Sequence, residues 1–301
     1  MLRTHRARRR VRLALAAAAT VTAALLPVTS ATAAPAGAPV SAPAAQADEL
    51  PASERPALYA RDQYGVLWQY EGTGHSAKPF KLPVKIGGGW SYRLVTSLAG
   101  TTADGKGDLA AVDRDGTLYF YQGTGDPSAP FAPRVEIGGG WDRYVSIAGA
   151  SDTNHDGKND LVARDRDGVL WFYAGTGDPT APFAPAVRVG GGWNAYDTVT
   201  TYSDGVLARD RDGVVWAYKA SGSSYPSEPF FPRVRVGYGL SGYSTFVGVT
   251  DMTSDKLADV VARDANGKLW LHYGERSQGM VVPMEGALPI GGGWNIYTLL
   301  F

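Results

Sequence analysis

The chain has 301 residues, no cysteine, and equal numbers of basic and acidic residues, 29 of each. The absence of cysteine excludes disulfide frameworks, thiol catalysis and cysteine-ligated zinc. The neutral balance argues against a nucleic-acid binder, because such proteins normally carry a basic face.

The first 33 residues have the pattern of a secretory signal peptide. Six arginines fall within the first twelve residues, and an apolar run follows over 13–26. Small residues at Ala31 and Ala33 match the A-x-A pattern of signal peptidase, so we predict cleavage after Ala33. A membrane anchor is the alternative, but 14 residues fall short of the ~20 that cross a bilayer. We therefore expect a secreted, extracellular protein without membrane insertion.

Cleavage changes the charge of the chain. Without residues 1–33 it has 23 basic and 29 acidic residues, a net charge of −6. Residues 34–56 are rich in alanine and proline and show no hydrophobic period. Such a stretch cannot bury enough apolar surface to order itself, which predicts a disordered linker or pro-segment. We expect ordered structure over 57–301.

One sequence unit occurs five times after the linker. A segment Ala-x-Asp-x-x-Gly followed by a bulky apolar run recurs with spacings of 51, 52, 45 and 54 residues between its glycines, Gly65, Gly116, Gly168, Gly213 and Gly267. A second marker, Gly-Gly-Gly-Trp, ends at Trp90, Trp141, Trp193 and Trp294, and its fourth copy has diverged to Gly-Tyr-Gly-Leu over 237–240. Repeats of this length are typical of propeller blades.

Each unit is predicted to be β throughout. The Asp-x-x-Gly segment between two apolar runs predicts a tight hairpin, with glycine at the position of positive φ. In the third unit the pattern predicts strands near 144–148, 160–164, 169–174 and 186–189. Four short strands in about 50 residues are the content of one propeller blade.

A ring of blades explains the sequence better than a sandwich. Alternate residues of a strand face opposite sides of its sheet. In the run Leu170-Trp-Phe-Tyr173 the side chains on both sides are bulky, whereas a sheet with one solvent-exposed face would alternate apolar and polar residues. The chain begins in the middle of a unit and ends on the strand that should precede that segment. We therefore predict an all-β, five-bladed β-propeller with four antiparallel strands per blade, closed by pairing of the N- and C-terminal strands.

Two families resemble this sequence. The run Asp152-x-Asn-x-Asp-Gly-x-x-Asp-Leu161 resembles the FG-GAP/VCBS repeats of secreted bacterial β-propellers. The repeating pattern of Leu-Trp-x-Tyr followed by Gly-Gly-Gly-Trp is similar to that of tachylectin-type five-bladed lectins. The resemblance covers about 57–301 and implies a binding module, with sugar sites between adjacent blades in the lectin case. It does not specify one partner.

The loop before the second strand of the third unit is a candidate calcium site. Oxygen side chains at Asp152, Asn154, Asp156 and Asp160, with the carbonyl of Lys158 and the glycine at position six, suit a hard cation. An Asp/Asn/Gly turn without metal is the alternative. Any Ca²⁺ bound here is expected to stabilise the loop rather than to take part in catalysis.

Catalysis has little support in the sequence. The repeated aspartates are better explained as hairpin hydrogen-bond acceptors than as a glycosidase pair, which needs two carboxylates in different environments. There is no Gly-x-Ser-x-Gly, His-Glu-x-x-His or phosphate-binding glycine loop. We predict that the protein is not an enzyme.

Four tryptophans are the candidate ligand-binding residues: Trp90, Trp141, Trp193 and Trp294. Each follows the glycines near a strand end, where the indole is either a wedge between blades or a platform for a sugar. The leading hypothesis is multivalent, lectin-like binding of glycans. The alternative is recognition of another secreted protein, such as a protease, through one irregular region like the divergent fourth unit. No nucleic-acid partner is expected.

Overall fold

The computed structural model describes residues 57–98, 107–277 and 280–301. The predicted signal peptide over 1–33 and linker over 34–56 lie outside the described residues. Within the described ranges no helix is long and apolar enough to cross a membrane.

The described residues contain twenty strands, which form five four-stranded antiparallel sheets, one per blade. The first strands of blades 1 to 5 are β20 (Tyr297–Leu300), β4 (Leu94–Ser97), β8 (Tyr144–Ser151), β12 (Tyr196–Tyr202) and β16 (Tyr243–Val249). The second strands are β1 (Ala57–Asp62), β5 (Leu109–Val112), β9 (Asp160–Asp165), β13 (Gly205–Asp210) and β17 (Asp259–Asp264). The third strands are β2 (Leu67–Glu71), β6 (Leu118–Tyr121), β10 (Leu170–Tyr173), β14 (Val215–Lys219) and β18 (Leu269–Ser277). The fourth strands are β3 (Val84–Gly87), β7 (Val135–Gly138), β11 (Val187–Gly190), β15 (Val234–Gly237) and β19 (Met280–Gly291).

The predicted five-bladed propeller is confirmed, including its closure. The C-terminal strand β20 pairs antiparallel with the N-terminal β1, with Ala60 opposite Leu300. Backbone hydrogen bonds between Tyr59 and Phe301, at 2.8 and 3.0 Å, extend this pairing. Joining the two ends in one sheet removes the exposed edges that each terminal strand would otherwise present.

The first strands line the centre of the ring. β8 lies against β4 and β12, and β12 lies against β16. Side-chain hydroxyls connect neighbouring blades here, since the Gly149 N–H donates to Thr96 Oγ1 at 3.1 Å. A Cβ at Gly149 would collide with the backbone of the neighbouring first strand at Ser97, so only glycine permits this approach.

The core consists of five apolar clusters, each between two adjacent blades. Consecutive residues of one strand enter different clusters: Leu161 faces blade 2 and Val162 faces blade 4, and both are buried. This explains why the strands carry apolar residues at both alternations, as the sequence indicated.

Two ends of the ring carry different loops. One face, which we call the hairpin face, has the turns between second and third strands and the connectors from each fourth strand to the next blade. The opposite face, the loop face, carries the loops between first and second strands and those between third and fourth strands. In three connectors a short 3₁₀ turn begins at Trp141, Trp193 or Trp294, preceded by a left-handed glycine.

Candidate functional site

The repeated aspartates hold the hairpins together. Asp165 Oδ1 accepts the backbone N–H groups of Asp167 and Val169 at 3.1 and 2.9 Å. Its Oδ2 accepts the indole N–H of Trp171 at 2.8 Å. The same three contacts recur at Asp62, Asp210 and Asp264. These contacts confirm the interpretation of the aspartates as hairpin acceptors.

The indole contact also affects ionisation. Hydrogen bonds from the Trp270 indole and the Lys268 N–H lower the pKa of Asp264, because they stabilise its charged form. The carboxylate therefore remains ionised and keeps accepting both donors over the ordinary pH range.

The four candidate tryptophans are buried in the core. Between 6 and 8% of each remains exposed. Trp141 is typical, since its ring stacks on Tyr173 with centroids 4.7 Å apart. Its backbone N–H donates to Gly116 O at 2.9 Å, which fixes the connector over the hairpin. The structure thus shows these residues as wedges between blades, and their role in ligand binding stays a prediction limited to their exposed edges.

The candidate calcium loop is tied by its own hydrogen bonds. Asp152 accepts the N–H groups of Asp156 and Gly157 at 2.9 and 2.8 Å. Asn154 Oδ1 accepts the Asp156 N–H at 3.1 Å, and Asp156 Oδ1 accepts that of Lys158 at 3.0 Å. No group of three or more His, Asp or Glu side chains in the described ranges is placed to hold a metal ion.

Asp160, the last of the predicted ligands, is engaged by other donors through both of its carboxylate oxygens. It is fully buried, its Oδ1 accepts the Gly175 N–H at 2.9 Å, and its Oδ2 accepts the N–H and hydroxyl of Thr153. Burial raises its pKa to about 6. The oxygen donors suit Ca²⁺ chemically, but the three carboxylates of the predicted set do not form a group placed to hold a metal ion.

A buried aspartate in this position is a repeated feature that the sequence analysis missed. Asp108, Asp160 and Asp259 are all fully buried immediately before or at the start of a second strand. Each accepts the N–H of the glycine 15 residues further along the chain, at 2.8 to 3.0 Å. The signal was present as the Asp-Leu or Asp-Val step that opens each of these strands, but it looked like part of a metal loop.

The fifth blade lacks an aromatic arrangement that the other four share. In blades 1 to 4 two tyrosine hydroxyls hydrogen-bond at 2.5 to 2.6 Å, as in Tyr144 with Tyr173. Blade 5 places His272 opposite Tyr243, with ring centroids 5.3 Å apart. His272 is buried and its Nε2 has no hydrogen-bond partner. In the connector that leads into blade 5, Leu240 stands where the other four connectors have a buried tryptophan.

Replacing His272 with tyrosine should stabilise the protein. H272Y restores the hydroxyl pair of the other blades, which we expect to be worth about 1 kcal/mol in the free energy of unfolding. Burial lowers the pKa of His272 to about 4, so the unfolded chain binds its proton more readily than the folded one. The wild type should lose stability as the pH falls from about 6.5 to about 4, and the advantage of H272Y should grow over that range.

Denaturant titrations at several pH values measure this effect. His75→Tyr is the matched control, because His75 is exposed in a loop and its replacement should leave stability nearly unchanged. An H272Y protein that is less stable than the wild type at every pH would contradict the prediction.

Exposed apolar side chains lie mainly on two blades: blade 1 has Tyr64, Leu82 and Val84, and blade 4 has four. The described residues include nine large apolar side chains that are exposed, and four of them fall within 225–238: Tyr225 (69%), Phe231 (52%), Val234 (36%) and Tyr238 (77%). They follow the loop after β14, the strand β15 and the start of the next connector. We call residues 225–238 the blade 4 edge.

No protein-family model matches the sequence, and no curated protein is significantly similar to it. Several solved structures match the chain at low sequence identity. A putative 6-phosphogluconolactonase from Bacteroides fragilis is 11% identical, with 78% of this chain and 67% of that chain covered and a TM-score of 0.38. Human WBSCR16 is 12% identical, with 78% of each chain covered and a TM-score of 0.33. Sqt1 from Saccharomyces cerevisiae is 13% identical with a TM-score of 0.30, and the match spans 60% of this chain and 44% of Sqt1.

Proposed function

We propose that this chain is a secreted, non-catalytic binding protein and that the blade 4 edge recognises another protein. A propeller is compatible with a binding module, because its rigid blades present loops at fixed positions. The observation that carries the proposal is that four exposed aromatic and apolar side chains lie within the fourteen residues of the blade 4 edge. Exposed apolar patches bordered by polar groups mark interaction surfaces.

Comparison with equivalent positions shows that this edge differs from the repeat. Phe231 stands where blades 2 and 3 have Ala132 and Ala184, and Tyr238 stands where they have glycine. The loop that carries Tyr225 is two residues longer than its counterpart in blade 2. Large exposed aromatic side chains are therefore found where blades 2 and 3 have small residues.

The blade 4 edge also carries two arginine side chains beside its apolar residues. Arg233, just before β15, has its guanidinium 4.1 Å from the centre of the Trp216 ring, and Arg235 is exposed on β15. Tyrosine, phenylalanine and arginine are enriched at protein interfaces. The edge thus combines apolar anchors with cationic groups, which suits a protein surface with apolar and acidic side chains.

The test replaces the unusual residues of the blade 4 edge with those that blade 3 has at the same positions. A Phe231→Ala/Tyr238→Gly variant gives blade 4 the residues of blade 3, and Tyr64→Ala/Leu82→Ala removes two exposed apolar side chains from blade 1 as a matched control. Residues 34–301 are immobilised and exposed to culture fluid of the producing organism. We expect a partner that is retained by the wild type and the control and lost by the blade 4 variant. Equal retention by all three would overturn the proposal.

Glycan binding is the second candidate. The observation that favours it is the recurrence, in four blades, of a half-buried tryptophan hydrogen-bonded to an aspartate, at Trp68, Trp171, Trp216 and Trp270. Repeated sites would convert weak binding of single sugars into avidity. A glycan array of the same protein separates the candidates, because sugar binding should be competed by a simple sugar and should survive the blade 4 substitutions.

We also propose that Ca²⁺, if it binds, orders the loop at Asp152 and has a structural role. Binding would require the carboxylates of Asp152 and Asp156 to exchange backbone N–H groups for the ion. Calcium should then raise the melting temperature, and Asp156→Asn should reduce that rise. Asp255→Asn in the corresponding loop of blade 5 is the control, because Lys256 occupies the left-handed position held by Gly157 in blade 3. A melting temperature that calcium and chelator leave unchanged would contradict this.

A further inference from the structure

In four blades a positive charge lies over a partly buried aromatic ring of the third strand. The rings are those of Tyr119, Trp171, Trp216 and Trp270. The guanidinium or ammonium groups lie 4.1 to 4.5 Å from the ring centres and come, in the same order, from Arg134, Arg143, Arg233 and Lys268. The face of an aromatic ring carries partial negative charge, so it attracts a cation at this distance.

The covering cations come from three different places in the repeat. Arg134 and Arg233 stand just before the fourth strands β7 and β15. Arg143 belongs to the connector that leads into β8, and Lys268 directly follows the hairpin glycine before β18. Because residues at unrelated positions reach the same place, it is the surroundings of the ring that favour a positive charge, and not one repeated residue.

Blade 1 has the same ring without such a cover. Its aromatic residue is Trp68, which is also partly buried, and the described residues place no guanidinium or ammonium group over it. The three positions that supply a cation in other blades are uncharged in this one, where they are Val66, Pro83 and Ile296.

Blade 3 shows how a connector reaches the ring. Tyr144 pairs with Asp165 across β8 and β9, and Asp165 Oδ2 accepts the Trp171 indole N–H at 2.8 Å. Arg143 directly precedes Tyr144, and its guanidinium lies 4.5 Å from the centre of the Trp171 ring. The residue before the paired tyrosine is therefore placed to cover the tryptophan.

Blade 1 repeats this register. Tyr297 pairs with Asp62 across β20 and β1, and Asp62 Oδ2 accepts the Trp68 indole N–H at 3.0 Å. Ile296 directly precedes Tyr297 and so takes the position of Arg143, and 61% of Ile296 is exposed. The place that a guanidinium fills in blade 3 is thus open to solvent in blade 1 and has no cation of its own.

A carboxylate and a second aromatic ring lie beside Trp68. Burial opposes the ionisation of Asp62, but hydrogen bonds, first that of the Trp68 indole, and then the charge of Lys85 lower its pKa. Lys85 lies opposite Trp68 in the pairing of β2 and β3, and not over its ring. Tyr64 donates its N–H to Asp62 Oδ1 at 2.9 Å, and 80% of it is exposed. Negative charge and aromatic rings are the groups that attract organic cations.

We propose that the face of Trp68 in blade 1 binds an organic cation through its guanidinium or ammonium group. The ligand class follows from the repeat, because a cationic side chain of the protein itself fills this place in the other four blades. The site is separate from the blade 4 edge and does not depend on the proposed function. Guanidinium and ammonium groups share this chemistry, and the test separates them.

Ile296→Arg tests the site by giving blade 1 the residue that blade 3 has at Arg143. The position is exposed, so the substitution should leave folding intact. The new guanidinium should cover Trp68 and weaken binding of the cation by about fivefold or more. Ile296→Gln, similar in length but uncharged, should keep most of the affinity.

Lys268→Val is the reverse experiment. It gives blade 5 the residue that blade 1 has at Val66, and it removes the ammonium group that lies 4.1 Å from the centre of the Trp270 ring. We expect this variant to bind the cation at Trp270 as well as at Trp68.

The measurement is an NMR titration of ¹⁵N-labelled residues 34–301 with methylguanidinium chloride and, separately, tetramethylammonium chloride. Ionic strength is held constant with sodium chloride, so that general screening is the same in every titration. The indole N–H signals of Trp68 and Trp270 are assigned by their loss in Trp68→Phe and Trp270→Phe. In the wild type the Trp68 signal should shift with the cation, and the Trp270 signal should not.

Two results together support the site: a Trp68 shift that Ile296→Arg reduces and Ile296→Gln retains, and a new shift of Trp270 in Lys268→Val. The probe that binds more tightly then identifies the preferred cation. No Trp68 shift beyond that in sodium chloride, or an equal shift in the wild type and Ile296→Arg, would overturn the proposal. A Trp68 shift with glucose but with neither cation would also overturn it.

Discussion

Replacing Trp141 with alanine should lower the free energy of unfolding by about 3–5 kcal/mol. The side chain is 8% exposed and stacks on Tyr173, and it belongs to the cluster that joins blades 2 and 3. Removing the indole leaves a cavity between two rigid sheets, and the sheets cannot close it without breaking the pairing around the ring. Chemical denaturation of the wild type and the variant measures the loss.

Tyr238→Ala is the control for this prediction. It also removes a large aromatic side chain from a connector, but 77% of Tyr238 is exposed, so the change in stability should stay within about 0.5 kcal/mol. If Trp141→Ala cost less than about 1 kcal/mol and abolished binding of a glycan, the tryptophan would be a ligand platform and not a wedge.

The architecture could be predicted because the repeat specifies it several times over. The same ring is predicted by three features: five copies of one hairpin, the regular spacing between them, and one unit whose strands are divided between the N- and C-terminal segments. In the third unit the predicted strands agree with β8 to β11 apart from a few terminal residues. Each strand is short and local, so its position follows from its own residues and from the turn beside it.

The direction of the side chains could not be predicted in the same way. Spacing placed Trp141 at the end of a strand, but only the stacking on Tyr173 shows that its ring turns into the core. The hydrogen bonds from arginine side chains to the connectors were also invisible, because in blade 2 Arg93, just before β4, takes the place of the arginine that the other blades have where blade 2 has Val112. Which side chain of one blade contacts which residue of the next depends on how the blades align in space, and a single sequence does not specify this alignment.

The fifth blade shows a second kind of limit. The other blades end their third strand with a proline-stiffened loop, whereas β18 continues to Ser277 and pairs with the long strand β19. The sequence shows the loop motif missing there but not what replaces it. His272 stands in the sequence at a position where the other four repeats have tyrosine, yet its unpaired Nε2 became visible only from the packing around it.

Asp259→Ala should cost about 3 kcal/mol or more, because one buried carboxylate satisfies three backbone donors. Its Oδ1 accepts the Gly274 N–H at 3.0 Å, and its Oδ2 accepts those of Met252 and Thr253 at 2.7 and 3.1 Å. Alanine leaves all three N–H groups without this acceptor. Asp255→Ala is the matched control in the same loop, because that carboxylate is exposed and should cost less than about 1 kcal/mol.

The pH dependence of this loss identifies the carboxylate as its source. Burial raises the pKa of Asp259 to about 7 from an ordinary value of 3.8, so the folded state binds the proton more tightly than the unfolded state. Its contribution to stability is therefore greatest below about pH 4 and falls until about pH 7. The difference in unfolding free energy between wild type and Asp259→Ala should shrink over that range, while contributions common to both proteins, such as that of His272, cancel. A difference that grows with pH would show that Asp259 is stabilised as an anion, as it would be beside a bound cation.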